Sequence, residues 1–307
     1  MDIAVIGSNM VDLITYTNQM PKEGETLEAP AFKIGCGGKG ANQAVAAAKL
    51  NSKVMMLTKV GDDIFADNTI RNLESWGINT SYVEKVPCTT SGVAPIFVNP
   101  NSSNSILIIK GANKFLSPED IDRAADDLKK CRLIVLQLEV QLETVYHAIA
   151  FGKKHGIEVL LNPAPALREL DMHYACQCDF FIPNETELEI ITGLPVDNYD
   201  SIRNAARTLL DKGLNNVIVT MGEKGALWIA RDKELHVPAF SVNAVDTSGA
   251  GDAFIGCFAH YYVATGNVET AMKKAVLFAA LSVTGKGTQS SYPSIEQFNE
   301  FLMLNEE

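Results

Sequence analysis

The sequence predicts an α/β protein with a mainly parallel central sheet, helices on both faces of that sheet and a small antiparallel lid. Short apolar runs, typical of buried strands, alternate with amphipathic stretches over most of the 307 residues, which is the pattern of repeated strand–helix–strand units. Residues 12–36 and 90–110 break the alternation, because short strands follow one another there without a helix. Since no linker or internal repeat divides the chain, we expect one domain over residues 1–307 with these two segments inserted as the lid.

The strands of the central sheet are predicted from apolar runs along the chain. In order, these runs are IAVI, VMMLTKVG, LIVLQLE, EVLLNPAP, FFIPNE and NVIVTMG. Helix signals lie between them. In SPEDIDRAADDLKKC, Ser117 is a predicted N-cap, Pro118 occupies the first helical position and lysines come at the far end. Gly213 ends the helix predicted in SIRNAARTLLDKG.

The lid is predicted from short strands that turns separate. The segment NPNSSN, residues 99–104, has the composition of a hairpin loop. Several strand residues on either side of this loop are apolar and are expected to be exposed, namely Ile96, Phe97, Ile106, Leu107 and Ile109. Such a surface either closes over a site or pairs with another subunit.

The charge of the chain limits its partners. The net charge is −11, so there is no excess of lysine and arginine to cover nucleic acid or an anionic membrane. An anionic ligand must therefore be met locally, by backbone amides, a single lysine or a metal ion. The N-terminal segment MDIAVIGSNM has neither a basic start nor a long apolar run, which predicts a first strand and a cytoplasmic protein.

The most informative segment is NAVDTSGAGDAFIGCFAHYYV, residues 243–263. Its small residues, Ser248 to Gly251, allow a ligand to approach the backbone at the start of an apolar helix. The unpaired amides and positive dipole of a helix start attract anions. Asp252 would repel such an anion unless it serves as a general base beside the transferred group. The alternative is a plain N-cap aspartate in a glycine-rich turn.

A second glycine-rich segment, GCGGKGANQAVAAAKL, spans residues 35–50. It contains GxGxxG at Gly35, Gly37 and Gly40, but it follows lid strands and not the first strand of a dinucleotide-binding unit. The P-loop pattern GxxxxGK[ST] is absent from the sequence. The turn would bring Lys39 and Asn42 close to a small ligand; the alternative is a tight turn that lets a helix pack closely.

Weaker signals come at the ends of other predicted strands. Asn184 and Glu187 are three residues apart in PNETELEIITG and could hold the water shell of Mg²⁺, or they could be only partners of a helix dipole. Thr220 ends a strand before a turn that contains Gly222 and Gly225, where α/β proteins bind nucleotides. Glu139 also ends a strand. The loop SVTGKGTQSSYP, residues 282–293, could bind a monovalent cation or be a surface turn.

Taken together, these segments resemble a known family. GGKGAN, NPAPA, PNETE, VTMGEKG and AVDTSGAGDAF occur in this order over essentially the whole chain, and in this they are similar to the ribokinase family of carbohydrate kinases. The resemblance implies a ribokinase-like three-layer sandwich that transfers a phosphoryl group from ATP to the 5-hydroxyl of a pentose. The β lid, which in many members is also the dimer interface, implies a homodimer.

The resemblance also implies roles for individual residues. Asp252 would be the catalytic base, and the amides of Gly249, Ala250, Gly251 and Asp252 would stabilise the transferred group. The implied sugar contacts are Asp12, Gly38, Lys39, Asn42 and Glu139. Asn184 and Glu187 would organise phosphate and Mg²⁺, and the nucleotide would lie against Thr220, Gly222, Gly225 and Gly251. A potassium ion would be bound by oxygens of Asp246, Ser248, Ser282, Gly285, Gly287 and Ser291.

One residue departs from the family pattern. Ribokinases usually carry asparagine two residues before the aspartate matched by Asp12, and this chain has Met10 there. Asn9 cannot replace that asparagine, because residues 10 and 12 share one face of an extended strand and residue 9 points to the other. The thioether predicts 2-deoxy-D-ribose as the sugar. The alternative is that Met10 only fills the core.

Three other functions stay open from the sequence. A ribokinase that acts on D-ribose would differ only in its preference between sugars, and a nucleoside kinase would accept a larger acceptor. A non-catalytic sugar-binding protein on the same fold is the third, although Asp252 and the glycine-rich helix start are present.

Overall fold

The computed structural model describes residues 1–99 and 104–305. The strands of this part, in chain order, are β1 (Ile3–Ile6), β2 (Met10–Tyr16), β3 (Ala31–Gly37), β4 (Val54–Val60), β5 (Asn79–Lys85), β6 (Gly92–Val98), β7 (Asn104–Ile106), β8 (Leu133–Leu136), β9 (Glu158–Leu161), β10 (Phe180–Phe181), β11 (Asn216–Thr220), β12 (Ala226–Ala230) and β13 (Lys233–Val237). The helices are α1 (Lys39–Lys49), α2 (Ala66–Ser75), α3 (Pro118–Arg123), α4 (Ala125–Leu128), α5 (Leu142–His155), α6 (Met172–Ala175), α7 (Glu185–Thr192), α8 (Tyr199–Asp211), α9 (Ala250–Thr265), α10 (Val268–Ser282) and α11 (Ile295–Asn305).

The central sheet is mainly parallel, as the strand–helix alternation predicts. Its strand order is β13-β12-β11-β10-β9-β8-β1-β4-β5, and within it only the pairs β11–β12 and β12–β13 are antiparallel among the described residues. Strand β1 pairs with β4 on one side and with β8, which comes later in the chain, on the other. The strand order therefore reverses between β1 and β8, and α/β proteins bind ligands at the carboxyl ends of the strands at such a point.

Both faces of the sheet are covered, which makes three layers. Alternate residues of β1 point to opposite sides, so Ile3 and Val5 pack in one apolar cluster and Ala4 and Ile6 in another. The first cluster includes residues of α1, α9, α10 and α11, and the second includes residues of α3, α5, α7 and α8. The apolar character of α9 in sequence follows from its place in the first cluster.

The lid is a separate four-stranded sheet with the order β3-β2-β6-β7. Its outer pairs, β2–β3 and β6–β7, are antiparallel as expected, whereas the central pair β2–β6 is parallel, with Met10 opposite Gly92. The two lid segments thus meet along β2 and β6. The hairpin loop predicted in NPNSSN lies for the most part outside the described residues.

Two of the five lid residues expected to be exposed are not. Ile96 is buried, because it packs with Ile14 and Ala94 on the inner face of the lid, and Phe97 is half-buried. The other predicted residues, Ile106, Leu107 and Ile109, are exposed. Sequence alternation alone could not tell which face of β6 would be the inner one.

The helix signals are largely confirmed. Ser117 precedes α3 and donates its backbone N–H to Asp120 Oδ2 at 2.8 Å, which closes the first turn. The predicted single helix is interrupted at Ala124, so α3 and α4 are separate. Gly213 follows α8 with φ of +116°, as expected of a residue that ends a helix.

Candidate active site

The carboxyl ends of β1 and β8 bring two polar side chains together. Ser8, after β1, donates its hydroxyl to Glu139, which follows β8. Glu139 Oε2 also accepts the backbone N–H of Lys39 at 2.9 Å, and Ser8 Oγ accepts that of Gly40 at 3.2 Å. The start of α1 is therefore fixed at the sheet edge. Glu139 lies where the sequence predicts, and Ser8 is an addition to the predicted site.

Asp12 lies on β2 and faces β3. A Cβ atom at Gly37 would lie 2.1 Å from Asp12 Oδ1, so the carboxylate occupies the space that glycine leaves open. Thr288 Oγ1 is its hydroxyl neighbour, at 3.4 Å from Oδ2. Burial raises the pKa of Asp12 to about 6, and the charges of Glu139 and Asp252 act in the same direction. An acidic group in such surroundings is typical of a functional site.

Met10 shares the lid strand with Asp12. The two residues are two apart in β2, and their side chains are on the same face of the strand. Met10 is 1% exposed, and its Cγ would lie 3.0 Å from a Cβ placed at Gly92 on the neighbouring strand. The predicted juxtaposition of a thioether with the buried carboxylate is thus present.

Asp252 lies in the first turn of α9, but it is not an N-cap. The N-cap is Gly249, and the carboxylate of Asp252 is directed to α1. Its Oδ2 accepts from Asn42 Nδ2 and its Oδ1 from Gln43 Nε2, both at 2.9 Å. The alternative of a plain capping aspartate is therefore wrong.

The start of α9 presents amides to the same region. The first main-chain hydrogen bond of the helix runs from Ala253 N to Gly249 O at 2.8 Å, so the amides of Gly251 and Asp252 precede the helical ladder. Ala250 N instead donates to Thr247 O at 3.3 Å. Gly251 is exposed and faces open space. This end of the helix is suited to an anion.

Lys39 is the cation of the site. Burial opposes its charge, but the carboxylates of Asp252, Glu139 and Glu187 together raise its pKa. The pKa of Glu187 is in turn raised by burial and by Asp252, although Lys39 acts to lower it. The carboxylates of Asp252 and Glu187 and the ammonium group of Lys39 thus act on one another within one region.

Asn184 and Glu187 form a reciprocal cap on α7. Asn184 N donates to Glu187 Oε2, and Glu187 N donates to Asn184 Oδ1, each at 2.8 Å. Both residues therefore stabilise the start of α7, which agrees with the alternative that they are partners of the helix dipole. It does not exclude a second use, because Glu187 is buried beside Lys39 and Asp252.

The predicted nucleotide loop adjoins that cap. Thr220 N donates to Pro183 O at 3.0 Å, and Thr220 pairs with Asn184 as an isolated parallel bridge. Gly222 and Gly225 follow in a turn between β11 and β12. The turn is tied to α7 by the ion pair of Lys224 with Glu185, at 2.9 Å.

The residues predicted to bind potassium are brought together in part. Asp246 accepts the backbone N–H of Ser248 and of Gly287, each at 2.9 Å. Burial opposes the charge of Asp246, but the hydrogen bonds from Gly287 and Ser248 lower its pKa overall. The segment 245–249 therefore packs on the loop 283–292.

The remaining predicted potassium residues lie on that loop and at the end of α10. A Cβ at Gly285 would lie 3.0 Å from Ser291 Cβ, so these two are neighbours. Ser291 donates its hydroxyl to Thr288 O at 2.9 Å, which leaves lone pairs on the oxygen. Ser282, whose backbone oxygen is the predicted ligand, donates its hydroxyl to Ala279 O within α10.

Two cavities adjoin Asp12. One, of about 230 Å³, lies under the lid between Ile14 and Ile96 on one side and Asp246, Ser248 and Thr288 on the other. The second, of about 240 Å³, lies toward Trp76. Its other lining residues include Lys33, Cys36, Asn72 and Gln289. The first cavity joins the lid, Asp12 and the predicted cation loop.

Sequence reasoning missed several polar residues that hold the site together. They are Ser8, Gln43, Gln137, Asn162, Thr288 and Gln289. A signal existed for two of them, because Gln137 and Asn162 interrupt or end otherwise apolar strand runs. The others carry no local pattern that distinguishes them from surface residues.

Other features bear on the kind of protein. No helix within the described ranges is long and apolar enough to cross a membrane. In the same part of the chain, no group of three or more His, Cys, Asp or Glu side chains could hold a metal ion. A magnesium or potassium site at this edge would therefore depend on fewer acidic groups, with backbone oxygens, hydroxyls, water or phosphate completing it.

The fold and the site define a kinase of the carbohydrate-kinase type, and comparison with known proteins agrees. The pfkB family of carbohydrate kinases matches residues 1–295, so the chain belongs to this family. Two proteins named deoxyribokinase, from Salmonella typhi and Salmonella typhimurium, are each 90% identical to the chain over 306 residues and 100% of both lengths. A structure of Arabidopsis thaliana ribokinase complexed with ribose and ATP is 29% identical, with a TM-score of 0.91 and 98% of each chain covered.

Proposed function

We propose that the protein transfers the γ-phosphoryl group of ATP to the 5-hydroxyl of 2-deoxy-D-ribose, giving 2-deoxy-D-ribose 5-phosphate and ADP. The choice of sugar depends on one observation, the buried thioether of Met10 beside Asp12. Full-length similarity to two deoxyribokinases supports the same substrate. D-Ribose is the alternative acceptor.

Asp252 is the proposed general base. Its carboxylate removes the proton of the 5-hydroxyl while that oxygen forms a bond to the γ-phosphorus and the bond from phosphorus to the leaving oxygen of ADP breaks. The amides of Gly251 and Asp252 at the start of α9 stabilise the charge on the transferred group. Three carboxylates raise the pKa of Lys39, so its ammonium group remains protonated and offsets the negative charge of the transferred group.

The sugar is held between the lid and the sheet edge. Asp12 and Glu139 are buried carboxylates that accept sugar hydroxyls. The glycine-rich turn at Gly38 and Lys39 brings the backbone close, and Asn42 lies beside Asp252. Ile14, Ala94 and Ile96 form the apolar inner face of the lid, which excludes water from the reacting groups.

The proposed magnesium and nucleotide sites lie at the same edge of the sheet, at α7 and the turn after β11. Glu187 fits the water shell of Mg²⁺, because it is a buried carboxylate. Only one of its oxygens, Oε2, accepts the capping hydrogen bond from Asn184 N. Asn184 is exposed beside it. The ion would neutralise charge on the β- and γ-phosphates. Thr220, Gly222 and Gly225 would then contact the nucleotide.

The preference between sugars follows from desolvation. A 2-hydroxyl that faced Met10 would lose its water without gaining a partner, at a cost of about 1–3 kcal/mol, which corresponds to roughly 5- to 150-fold in affinity. A 2-deoxy methylene would pack on the thioether and gain up to about 1 kcal/mol. Both effects favour the deoxy sugar.

The test is kcat/KM for 2-deoxy-D-ribose and D-ribose, measured side by side with ATP, Mg²⁺ and potassium. We expect the ratio to favour 2-deoxyribose by roughly 5-fold or more. A ratio that favours ribose would contradict the proposed sugar, and turnover of nucleosides alone would contradict a sugar kinase. Asp252→Ala protein serves as the control for contaminating kinases and should turn over neither sugar.

A potassium ion is proposed at the loop beside the anion site. Its ligands would be oxygens of Asp246, Ser248, Ser282, Gly285, Gly287 and Ser291, of which Asp246, Ser248 and Gly287 are already joined by hydrogen bonds. Such an ion would act by shaping the backbone around the start of α9, outside the phosphate path.

The effect of the cation is tested by replacing it. We expect kcat to be higher in potassium than in sodium or tetramethylammonium at equal ionic strength, because a ring of backbone oxygens can replace the hydration shell of potassium. Ser291→Ala should weaken the dependence on potassium concentration. Equal rates in all three salts would exclude the proposed ion.

Two further properties remain proposals. We expect a homodimer through the outer face of the lid, where Phe32, Leu107 and Ile109 are exposed. A cytoplasmic location stays a prediction from the N-terminal sequence.

A further inference from the structure

Both oxygens of the Asp252 carboxylate are held by amides from consecutive residues of α1. Asn42 Nδ2 donates to Oδ2 and Gln43 Nε2 donates to Oδ1, each at 2.9 Å. Asn42 belongs to the predicted sugar contacts, whereas Gln43 was assigned no role. Gln43 is 1% exposed, so it cannot exchange this bond for one with bulk water.

The orientation of the Gln43 amide is determined by a fixed backbone group. Asn162 Nδ2 donates to Ile182 O at 2.8 Å, and a carbonyl can only accept. Asn162 Oδ1 must therefore face the other way, where it accepts from Gln43 Nε2 at 3.1 Å. The amino group of Gln43 is thus directed to Asp252 whatever the charge of Asp252.

A second glutamine completes the arrangement from the other side. Gln137 Nε2 donates to Gln43 Oε1 at 2.6 Å, so both ends of the Gln43 amide are bonded. Gln137 is fully buried, and its own Oε1 has no hydrogen-bond partner among the described residues. A Cβ at Gly7 would lie 1.9 Å from that oxygen, so the glycine after β1 leaves the space in which Gln137 lies.

An unpaired buried acceptor is unfavourable for folding. Methionine would fill the same volume without one. The unpaired oxygen of Gln137 is thus unexplained by packing, but it follows directly if Gln137 must present its amino group to Gln43. Gln137 and Asn162 directly follow the neighbouring strands β8 and β9, so the sheet itself sets the position of Gln43.

We propose that Gln43 is a positioning residue for phosphoryl transfer, oriented by Gln137 and Asn162, and that it holds the Asp252 carboxylate toward the acceptor hydroxyl. The role depends on the proposed function, because it concerns the same base. Of the groups proposed to react, Gln43 contacts the base alone, through one hydrogen bond that fixes the direction of the carboxylate. It does not bind substrate.

The test compares Gln43→Met, Gln43→Glu and Gln137→Met with the unmodified protein. For each, kcat and the KM values for sugar and ATP are measured, together with the midpoint of thermal unfolding. We expect Gln43→Met to lower kcat by roughly tenfold or more, with both KM values changed much less, since a hydrogen bond to a charged group is lost.

Gln43→Glu should lower kcat at least as far as Gln43→Met, because an ionised carboxylate has no proton to donate to Asp252. Gln137→Met should lower kcat in the same direction without lowering the unfolding midpoint, since it also removes the unpaired acceptor. These variants leave unchanged the titratable groups that interact electrostatically with Asp252, which are Asp12, Lys39, Glu187 and Tyr292. Gln177→Met, the same change at a half-buried glutamine after α6, is the control and should leave kcat unchanged.

A folded Gln43→Met protein with the kcat of the unmodified protein, or with KM values changed as much as kcat, would overturn the proposal. A lowered unfolding midpoint in Gln137→Met with unchanged kcat would also overturn it, because Gln137 would then be purely structural. If Gln137→Met does not fold, the kcat and KM values of Gln43→Glu decide. All rates are compared on whichever pentose the unmodified protein phosphorylates, so a wrong choice of sugar would not affect the outcome.

Discussion

Asp12 is a single residue whose burial lowers the stability of the fold while serving the proposed binding of the sugar. Its carboxylate is 5% exposed, and burial raises its pKa from 3.8 to about 6. The folded protein therefore binds the proton of Asp12 more tightly than the unfolded chain does. Stability from this group falls as pH rises from about 3.8 through about 6, and the penalty is complete at neutral pH.

Asp12→Asn should make the protein more stable and less active. At pH 7 we expect the free energy of unfolding to rise by on the order of 1–3 kcal/mol, and the gain should shrink as pH falls below 6 toward 4. Urea denaturation at several pH values measures it, and the KM for the sugar should rise in parallel. Asp232→Asn, at an exposed aspartate, is the matched control; an equal gain there, or no dependence on pH, would show that burial of Asp12 is not the cause.

Single residues also show what the sequence could and could not predict. Asp252 was recognised because a carboxylate at an anion-attracting helix start conflicts with local electrostatics, and the structure places it there, bonded to α1. Gln43 was not recognised, because its importance comes from Gln137 and Asn162, which are about a hundred residues away along the chain. Long-range amide pairing leaves no local pattern in a sequence.

The outer face of the lid carries exposed apolar residues that the proposed active site does not explain. The break in the strand–helix alternation identified the lid as short strands joined by turns, yet only the structure shows that β2 and β6 pair in parallel and that Ile96 faces inward. The inner face covers the site. The outer apolar residues Phe32 and Leu107, which are 59% and 62% exposed, have no such use within one chain.

Charged substitutions on the outer face of the lid should separate the subunits. We expect the unmodified protein to be a dimer in sedimentation velocity experiments, and Phe32→Asp or Leu107→Asp to be mainly monomeric, because burial of a charge in an apolar interface is unfavourable. Ile64→Asp, at an isoleucine that is 87% exposed outside the lid, is the control and should remain dimeric. A monomeric unmodified protein, or dimers that survive both lid substitutions, would contradict a lid interface.

At the scale of the whole molecule, the parallel sheet decides where the chemistry lies. Strand–helix alternation predicted a mainly parallel sheet, and its order places the reversal at β1 and β8. Ser8 and Glu139 follow those two strands, and α9 brings Asp252 to the same edge. The order of strands could not be read from the sequence, because it depends on packing between helices distant in the chain.

The choice of sugar can be read from the whole protein in a single competition experiment. Equal concentrations of 2-deoxy-D-ribose and D-ribose are offered with limiting ATP, and the two sugar phosphates are quantified by mass spectrometry. The unmodified protein should yield mostly 2-deoxyribose 5-phosphate, by roughly 5-fold or more, and Met10→Asn should shift the products toward ribose 5-phosphate, since an amide can bond the 2-hydroxyl that a thioether cannot. A ribose phosphate excess from the unmodified protein, or an unchanged product ratio in Met10→Asn, would contradict the conclusion that Met10 selects a deoxy sugar.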